Sequence, residues 1–375
     1  MVYLDYSATT PTNKEVLDSF IKSSEEYIGN SNSLHALGVK ANNIIESATN
    51  QIINLLNIND KEIIYTSGAS ESNNLAIKGI CNKYKNRGNH IITTPLEHSS
   101  IYGPLKYLKE NGFIIDYVKI NEDGLVDLDD LKRLLTDKTI LVSICSVNSE
   151  IGIRQNIEEI GNILLNYPKC FFHSDMTQSI GKINIDMTNV DLISFSAHKF
   201  YGIKGIGVLI KNKKIELTPL IHGGKSNSKY RSGTPCTPLI ISISKALRLA
   251  LNNLDKKYNN VKALNNYLKA QLSKLDKVII NSNNSSIPHI LNISVLGLKP
   301  ETLQHALEKY DIYISTKSAC SDSNSKSEAV YELTKSIEQA ISSIRISISY
   351  LTTKEEIDYF IDKFIICYNE LTDLR

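Results

Sequence analysis

Between about residues 62 and 211 the chain alternates apolar runs of strand length with amphipathic stretches of helix length, and this rhythm constrains the fold more than any other feature. Strands are expected at 62–66, 90–94, 114–118, 140–147, 170–175, 190–196 and 206–211, with helices at 71–85, 101–111, 128–135 and 157–167. Such alternation specifies an α/β fold, a mainly parallel seven-stranded sheet covered by helices. In sheets of this kind ligands bind beyond the carboxyl ends of the strands. Thr66, His98, Val147, Asp175 and Ser196 all sit at or just past expected ends, so separate motifs converge on one crevice.

After Pro238 the rhythm changes. A long apolar-periodic stretch at 239–275, broken near Asn252-Asn253, gives one or two linking helices. A strand at 289–295, a helix at 300–309, a strand at 343–349 and a closing helix at 354–371, capped by Thr353, read as α+β. A chain of 375 residues is long for one core, so a second, smaller domain is expected there. The net charge of +2 leaves no electrostatic footprint for nucleic acid. No apolar run reaches the length of a membrane span. The opening Met1-Val2-Tyr3-Leu4-Asp5-Tyr6 has neither a secretory nor a transit signature, so a cytoplasmic location is expected. The six cysteines, at 81, 145, 170, 236, 320 and 367, show no zinc-site spacing and read as reduced thiols. Cys81, Cys145 and Cys170 lie in apolar surroundings and read as small buried hydrophobes, whereas Cys320 lies in a polar Ser/Asn/Asp/Lys-rich loop at 315–326.

The chemistry gathers at the strand ends. Ser196-Ala197-His198-Lys199 follows one strand and precedes a glycine-rich turn, Gly202 to Gly207. A lysine so placed is a candidate Schiff-base anchor for a carbonyl cofactor, and pyridoxal phosphate is the cofactor that uses this linkage most. Phe171-Phe172-His173-Ser174-Asp175 ends in the carboxylate that such a cofactor needs to keep its ring nitrogen protonated. Thr66-Ser67-Gly68-Ala69-Ser70-Glu71-Ser72-Asn73-Asn74 opens a helix after a strand, where N–H groups and hydroxyls hold phosphate; the competing reading is a turn in which Ser70 caps the helix. His98 reads as a stacking or proton-shuttling imidazole, or simply as a helix-start residue. Arg345 reads as a carboxylate clamp or a surface ion pair, and Cys320 as a reactive or an incidental thiol. The order G-x-x-G-x-G before a strand is not the dinucleotide fingerprint, which disfavours a Rossmann dehydrogenase.

Taken together, these motifs resemble, over nearly the full chain, the pyridoxal-phosphate-dependent cysteine desulfurases of the NifS/IscS type, in the class V aminotransferase superfamily. The resemblance runs from Tyr3-Leu4-Asp5-Tyr6-Ser7-Ala8-Thr9-Thr10-Pro11 through Glu97-His98, Asp175-Met176-Thr177-Gln178 and Arg231-Ser232-Gly233-Thr234 to Ser318-Ala319-Cys320 and Ser343-Ile344-Arg345. It implies the aspartate-aminotransferase type of PLP-dependent transferase fold, with a large domain at 15–250 and a small one built from 1–14 and 251–375. It implies Lys199 as the Schiff-base lysine, His98 stacked on the ring, Asp175 at the ring nitrogen and Gln178 at the ring hydroxyl. Ala69, Ser70, Ser196 and His198 are implied at the phosphate, joined by Thr234 from the other subunit of a homodimer. It also implies that Arg345 takes the substrate carboxylate and that Cys320 accepts sulfur from L-cysteine as a persulfide, leaving L-alanine.

The resemblance further implies that the sulfur passes to an acceptor protein, an iron–sulfur scaffold or a tRNA-thiolation enzyme, and no direct nucleic-acid or membrane partner is expected. Ser149 stands where the family has an asparagine beside cofactor and substrate carboxylate. Lys317 stands where glycine is common, and Lys326-Ser327-Glu328-Ala329 replaces the usual Pro-Ser after the reactive cysteine. Alternatives on the same scaffold are a class V aminotransferase, a selenocysteine lyase and a non-catalytic sulfur-assembly platform.

Overall fold

The structure, a computed structural model, describes residues 1–224, 226–316 and 326–373. In chain order the strands are β1 (Val2–Tyr3), β2 (Lys61–Thr66), β3 (His90–Thr93), β4 (Ile114–Tyr117), β5 (Thr139–Ser143), β6 (Phe171–Asp175), β7 (Leu192–Ser196), β8 (Gly207–Asn212), β9 (Val278–Ile280), β10 (Ile290–Val295), β11 (Ile312–Tyr313) and β12 (Ser343–Ser347). The large sheet has seven strands in the order β2-β8-β7-β6-β5-β3-β4. Within it only β8 runs antiparallel to its neighbours, β2 and β7.

The sequence builds this sheet by being apolar on both faces. Adjacent residues Ile91 and Ile92, Leu141 and Val142, Leu192 and Ile193, and Leu209 and Ile210 point to opposite sides and join two different cores. A strand buried on both faces reads as a continuous apolar run, and helices must cover it above and below. One core takes Ile45, Ile52, Ile243 and Leu247 from helices Ala36–Leu56 and Thr237–Leu251, and the other takes Leu75, Ile77 and Ile80 from helix Ala69–Tyr84.

A second sheet, in the order β12-β10-β9, is antiparallel and has a core of its own, to which helix Lys354–Asp373 contributes Phe360 and Phe364. Val2 and Leu4, from the other end of the chain, are buried in that core, and β1 pairs in parallel with β11. The stretch at 239–275 divides as expected. Helix Thr237–Leu251 stops at Asn252, and Asn253 takes a left-handed backbone (φ 54°) before helix Leu254–Leu272.

Three features differ from the sequence reading. Helices Lys14–Glu26 and Ala36–Leu56 precede the first expected element. The latter buries Ala41, Ile45, Ala48, Ile52 and Leu56 at helical spacing, but its cap is His35, outside the usual Ser/Thr/Asp/Asn set, and its outer face is rich in asparagine. The strand expected at 140–147 ends at Ser143, because Cys145 N–H turns to the Glu97 carboxylate (2.8 Å). Ser70 does not cap its helix. The cap position is Gly68, with no side-chain bond.

Gly207 pairs with both Thr66 and Ser196 where β8 begins. A Cβ there meets Gly68 Cα at 2.5 Å and Phe195 O at 2.9 Å, so the close approach requires glycine. Gly207→Ala is expected to destabilise the chain by about 1–3 kcal/mol through forced displacement of the Gly68 turn. A urea midpoint matching the wild type contradicts this.

Candidate active site

Beyond the carboxyl ends of β5, β6 and β7 lies a cavity of ≈ 460 Å³ whose lining includes Lys199, Asp175, His98, Gln178, Ser196 and Arg345. Strand β7 passes into one turn of 3-10 helix, Ala197–Lys199, closed by Phe200 N–H (3.1 Å) and Gly202 N–H (2.9 Å) on Ala197 O. Tyr201 has φ 66°, a backbone that bulky residues rarely adopt, and the Thr10 hydroxyl holds its N–H at 2.8 Å. This pinned reversal delivers Lys199 Nζ to Ser7 O (2.6 Å) and Ala8 O (2.9 Å).

Asp175 closes β6 and is 7% exposed. Its Oδ1 accepts Thr177 N–H (2.9 Å) and its Oδ2 accepts Asn73 Nδ2 (2.7 Å). His98 is both a helix-start and a cavity residue. Its Nδ1 accepts Ser100 N–H (3.2 Å) as the cap of helix Ser99–Glu110, and the ring faces the cavity. Burial lowers its pKa below the ordinary 6.5, the Lys199 amine adding to the effect and the Asp175 carboxylate opposing it. His198 is pushed down to about 4, by burial first and then by Lys199, Lys204 and Lys182, so both imidazoles are neutral at physiological pH.

Helix Ala69–Tyr84 brings its uncapped N-terminus, with Ala69 and Ser70, to the same cavity as Ser196 and His198. Glu71 orders this turn by accepting Ser67 N–H at Oε2 (2.7 Å) and Arg231 Nε at Oε1 (3.0 Å). Nothing but Ser196 Oγ, at 3.7 Å, stands within 4 Å of a Cβ built on Gly68, so the turn leaves room above the helix end. Arg345 is 2% exposed; Nη2 donates to Asp5 (2.7 Å), Nη1 to Ser149 O (2.9 Å), and Nε has no partner among the described residues. Ser149 thus meets the guanidinium through its backbone. Gln178 donates to Ser7 O (2.9 Å) and accepts Lys182 Nζ (2.5 Å). Thr234 is exposed and lines a neighbouring hollow with Ser67 and Arg231 rather than the Lys199 cavity. Cys320 lies outside the described residues.

This donor set fits pyridoxal phosphate. An amine, a carboxylate, an imidazole and a helix N-terminus with hydroxyls are what an aldehyde, a pyridine nitrogen, an aromatic ring and a phosphate require. Six participants escaped the sequence reading: the Ser7 and Ala8 carbonyls, Asn73, Glu97, Ser100 and Lys182. Asn73 stands inside a motif that reads as a phosphate site or a capping turn, and Lys182 carries no pattern beyond its spacing from Gln178. Burial and the nearby Lys199 and Arg345 charges hold the Lys182 amine well below the ordinary lysine range.

The sequence matches the Aminotransferase class-V family over residues 2–360. It is 39% identical over 366 residues to the cysteine desulfurase IscS of Dictyoglomus turgidum, covering 96% of this chain and 93% of that protein. It is 41% identical over 382 residues to the cysteine desulfurase IscS of Colwellia psychrerythraea, covering 100% and 94%. A solved NifS-like protein superposes with a TM-score of 0.92 at 34% identity, covering 99% of each chain. The chain belongs to the class-V aminotransferase family, and within it to the IscS and NifS-like cysteine desulfurases. Among the described residues no helix is long and apolar enough to cross a membrane.

Glu97 supplies a pH signature. It is 8% exposed; Oε1 accepts Thr94 Oγ1 and Cys145 N–H, both at 2.8 Å, and Oε2 has no partner among the described residues. Burial raises its pKa from 4.5 to about 8 against the pull of those donors. The native state therefore binds this proton more tightly than the unfolded chain, and the stability it brings, complete below pH 4.5, is lost as pH rises toward 8. Glu97→Gln never ionises, so its melting temperature relative to wild type is expected to rise across that window. A difference independent of pH contradicts the assignment.

Proposed function

We propose that the chain is a pyridoxal-phosphate-dependent cysteine desulfurase, acting on L-cysteine and carrying the released sulfur as a persulfide on Cys320. The observation that carries this reading is the meeting of Lys199, Asp175, His98 and the buried Arg345 in one cavity at the strand ends. Full-length relatedness to IscS enzymes supports the choice of substrate.

When bound, pyridoxal phosphate supplies the carbonyl that captures the amino acid and the ring that takes up negative charge. Lys199 would anchor it, and the same amine is placed to move the Cα proton. Asp175 would keep a proton at the ring nitrogen, His98 would support the ring, and Gln178 would hold the ring hydroxyl. Ala69, Ser70, Ser196 and His198 hold the phosphate. Arg345 orients the substrate carboxylate, with Ser149 placing the guanidinium through its carbonyl. The net change is L-cysteine plus the Cys320 thiol giving L-alanine plus the Cys320 persulfide; a C–S bond breaks and an S–S bond forms.

The same reading makes the enzyme a cytoplasmic homodimer in which the partner subunit's Thr234 completes the phosphate site. The exposure of Thr234 away from its own chain's Lys199 cavity supports this. It divides the chain into a large domain at 15–250 and a small one at 1–14 plus 251–375, a division supported by the two sheets having separate cores. The sulfur acceptor is an iron–sulfur scaffold or a tRNA-thiolation enzyme.

Alanine release from L-cysteine in the presence of a reductant tests the activity. Wild type is expected to turn over, while Cys320→Ala, with cofactor bound, falls at least about a hundredfold, as does Lys199→Ala. Equal alanine release by Cys320→Ala removes that residue as acceptor. Cofactor-loaded wild type that releases none overturns the substrate.

A further inference from the structure

Four side chains form a continuous hydrogen-bonded path across the floor of the site. Asp175 Oδ2 accepts Asn73 Nδ2 at 2.7 Å, the same Nδ2 lies 2.8 Å from Ser100 Oγ, and Ser100 Oγ lies 2.8 Å from His98 Nδ1. Asn73 is wholly buried at 0% exposure, and its Oδ1 has no partner among the described residues. An amide kept only for packing satisfies both its ends; this one orphans its carbonyl and places its amino group between two acceptors of the site.

The direction of every bond follows from chemistry. An ionised carboxylate only accepts, so the amide must turn its NH₂ toward Asp175, because the flipped amide sets oxygen against oxygen. That NH₂ also donates to Ser100 Oγ, so the Ser100 hydroxyl directs its own hydrogen elsewhere, and His98 Nδ1 is the acceptor at 2.8 Å. The backbone N–H of Ser100 converges on the same Nδ1 at 3.2 Å. Two donors on Nδ1 leave a neutral ring its proton on Nε2.

We propose that Asn73 and Ser100 are positioning residues that set the resting state of His98: the Asn73 amide holds the Asp175 carboxylate and, through the Ser100 hydroxyl, keeps the His98 proton on Nε2. At rest His98 then presents a donor to the cavity rather than a base. It takes up a proton only at Nδ1, and only when the Ser100 hydroxyl turns away. The catalytic consequence rests on the cofactor-site reading above, but the tautomer is a property of the chain itself.

The test is nitrogen NMR of the full-length chain, labelled at histidine and loaded with pyridoxal phosphate, with His98→Gln assigning the resonances. Wild type is expected to show an unprotonated Nδ1, shifted upfield by hydrogen bonding, and a protonated Nε2. Ser100→Ala is expected to move Nδ1 downfield toward the unbonded position, and Ser100→Thr to restore it. Asn73→Leu, which releases the Ser100 hydroxyl, is expected to move it in the same direction as Ser100→Ala. Should Asn73→Leu not fold, the serine pair decides alone. A protonated Nδ1 in wild type, or resonances unmoved in Ser100→Ala, overturns the proposal. Because the signal is read on the imidazole and not from turnover, failure of the desulfurase reading and failure of this one are separable.

Discussion

The grip of the N-terminal segment on Lys199 organises the site. Ser7 O and Ala8 O accept the lysine amine, Ser7 O also accepts Gln178, and Thr10 bonds both His198 O (2.9 Å) and Tyr201 N–H (2.8 Å). The same segment is fixed at its other end to the smaller sheet, where Ser7 N–H meets Ser347 Oγ (2.9 Å) and Asp5 meets Arg345 (2.7 Å). One short stretch of backbone therefore registers the anchoring amine against the guanidinium. Loss of either attachment misplaces both, and misplacement on the ångström scale is costly in a site that works by orientation.

Electrostatics follow from that geometry. Burial first, and then the neighbouring lysine charges, Lys199 beside both rings and Lys204 beside His198, hold the His98 and His198 imidazoles below their ordinary pKa, while Lys182, buried behind Gln178, has its own amine held well below the lysine range. Asp175 and Glu97 lie opposite as acids of different character. Asp175 accepts at both oxygens, whereas Glu97 has one orphaned oxygen and a pKa pushed up to about 8. Two neighbouring carboxyl groups whose hydrogen-bond surroundings differ so clearly are suited to separate tasks, Asp175 facing the cavity with both oxygens engaged and Glu97 carrying a proton inside the wall of the site.

The doubly apolar strands were legible because two-sided burial leaves a continuous mark, as at Leu192-Ile193 or Leu209-Ile210, and the motifs at their ends were legible because chemistry demands particular side chains there. Lys199, Asp175, His98, Gln178, Ser196, His198 and Arg345 all line the one cavity anticipated for them. What stayed hidden depends on contacts between residues distant in the chain. The carbonyls of Ser7 and Ala8 have no side-chain signal, and Asn73 and Ser100 become partners only when two helix starts, 27 residues apart, face each other. Helix Ala36–Leu56 was missed for the opposite reason: its apolar stripe is regular, but its asparagine-rich face and histidine cap disguise its limits.

The central claim is that the reversal after β7 presents Lys199, and no other amine, to the cofactor. Lys204 also lines the cavity and Lys182 is buried behind Gln178, so the choice is a real one. Borohydride reduction of the chain purified with pyridoxal phosphate, followed by peptide mass spectrometry, decides it. The account predicts a pyridoxyl group on Lys199 alone; a label on Lys182 or Lys204, or on no lysine, contradicts it.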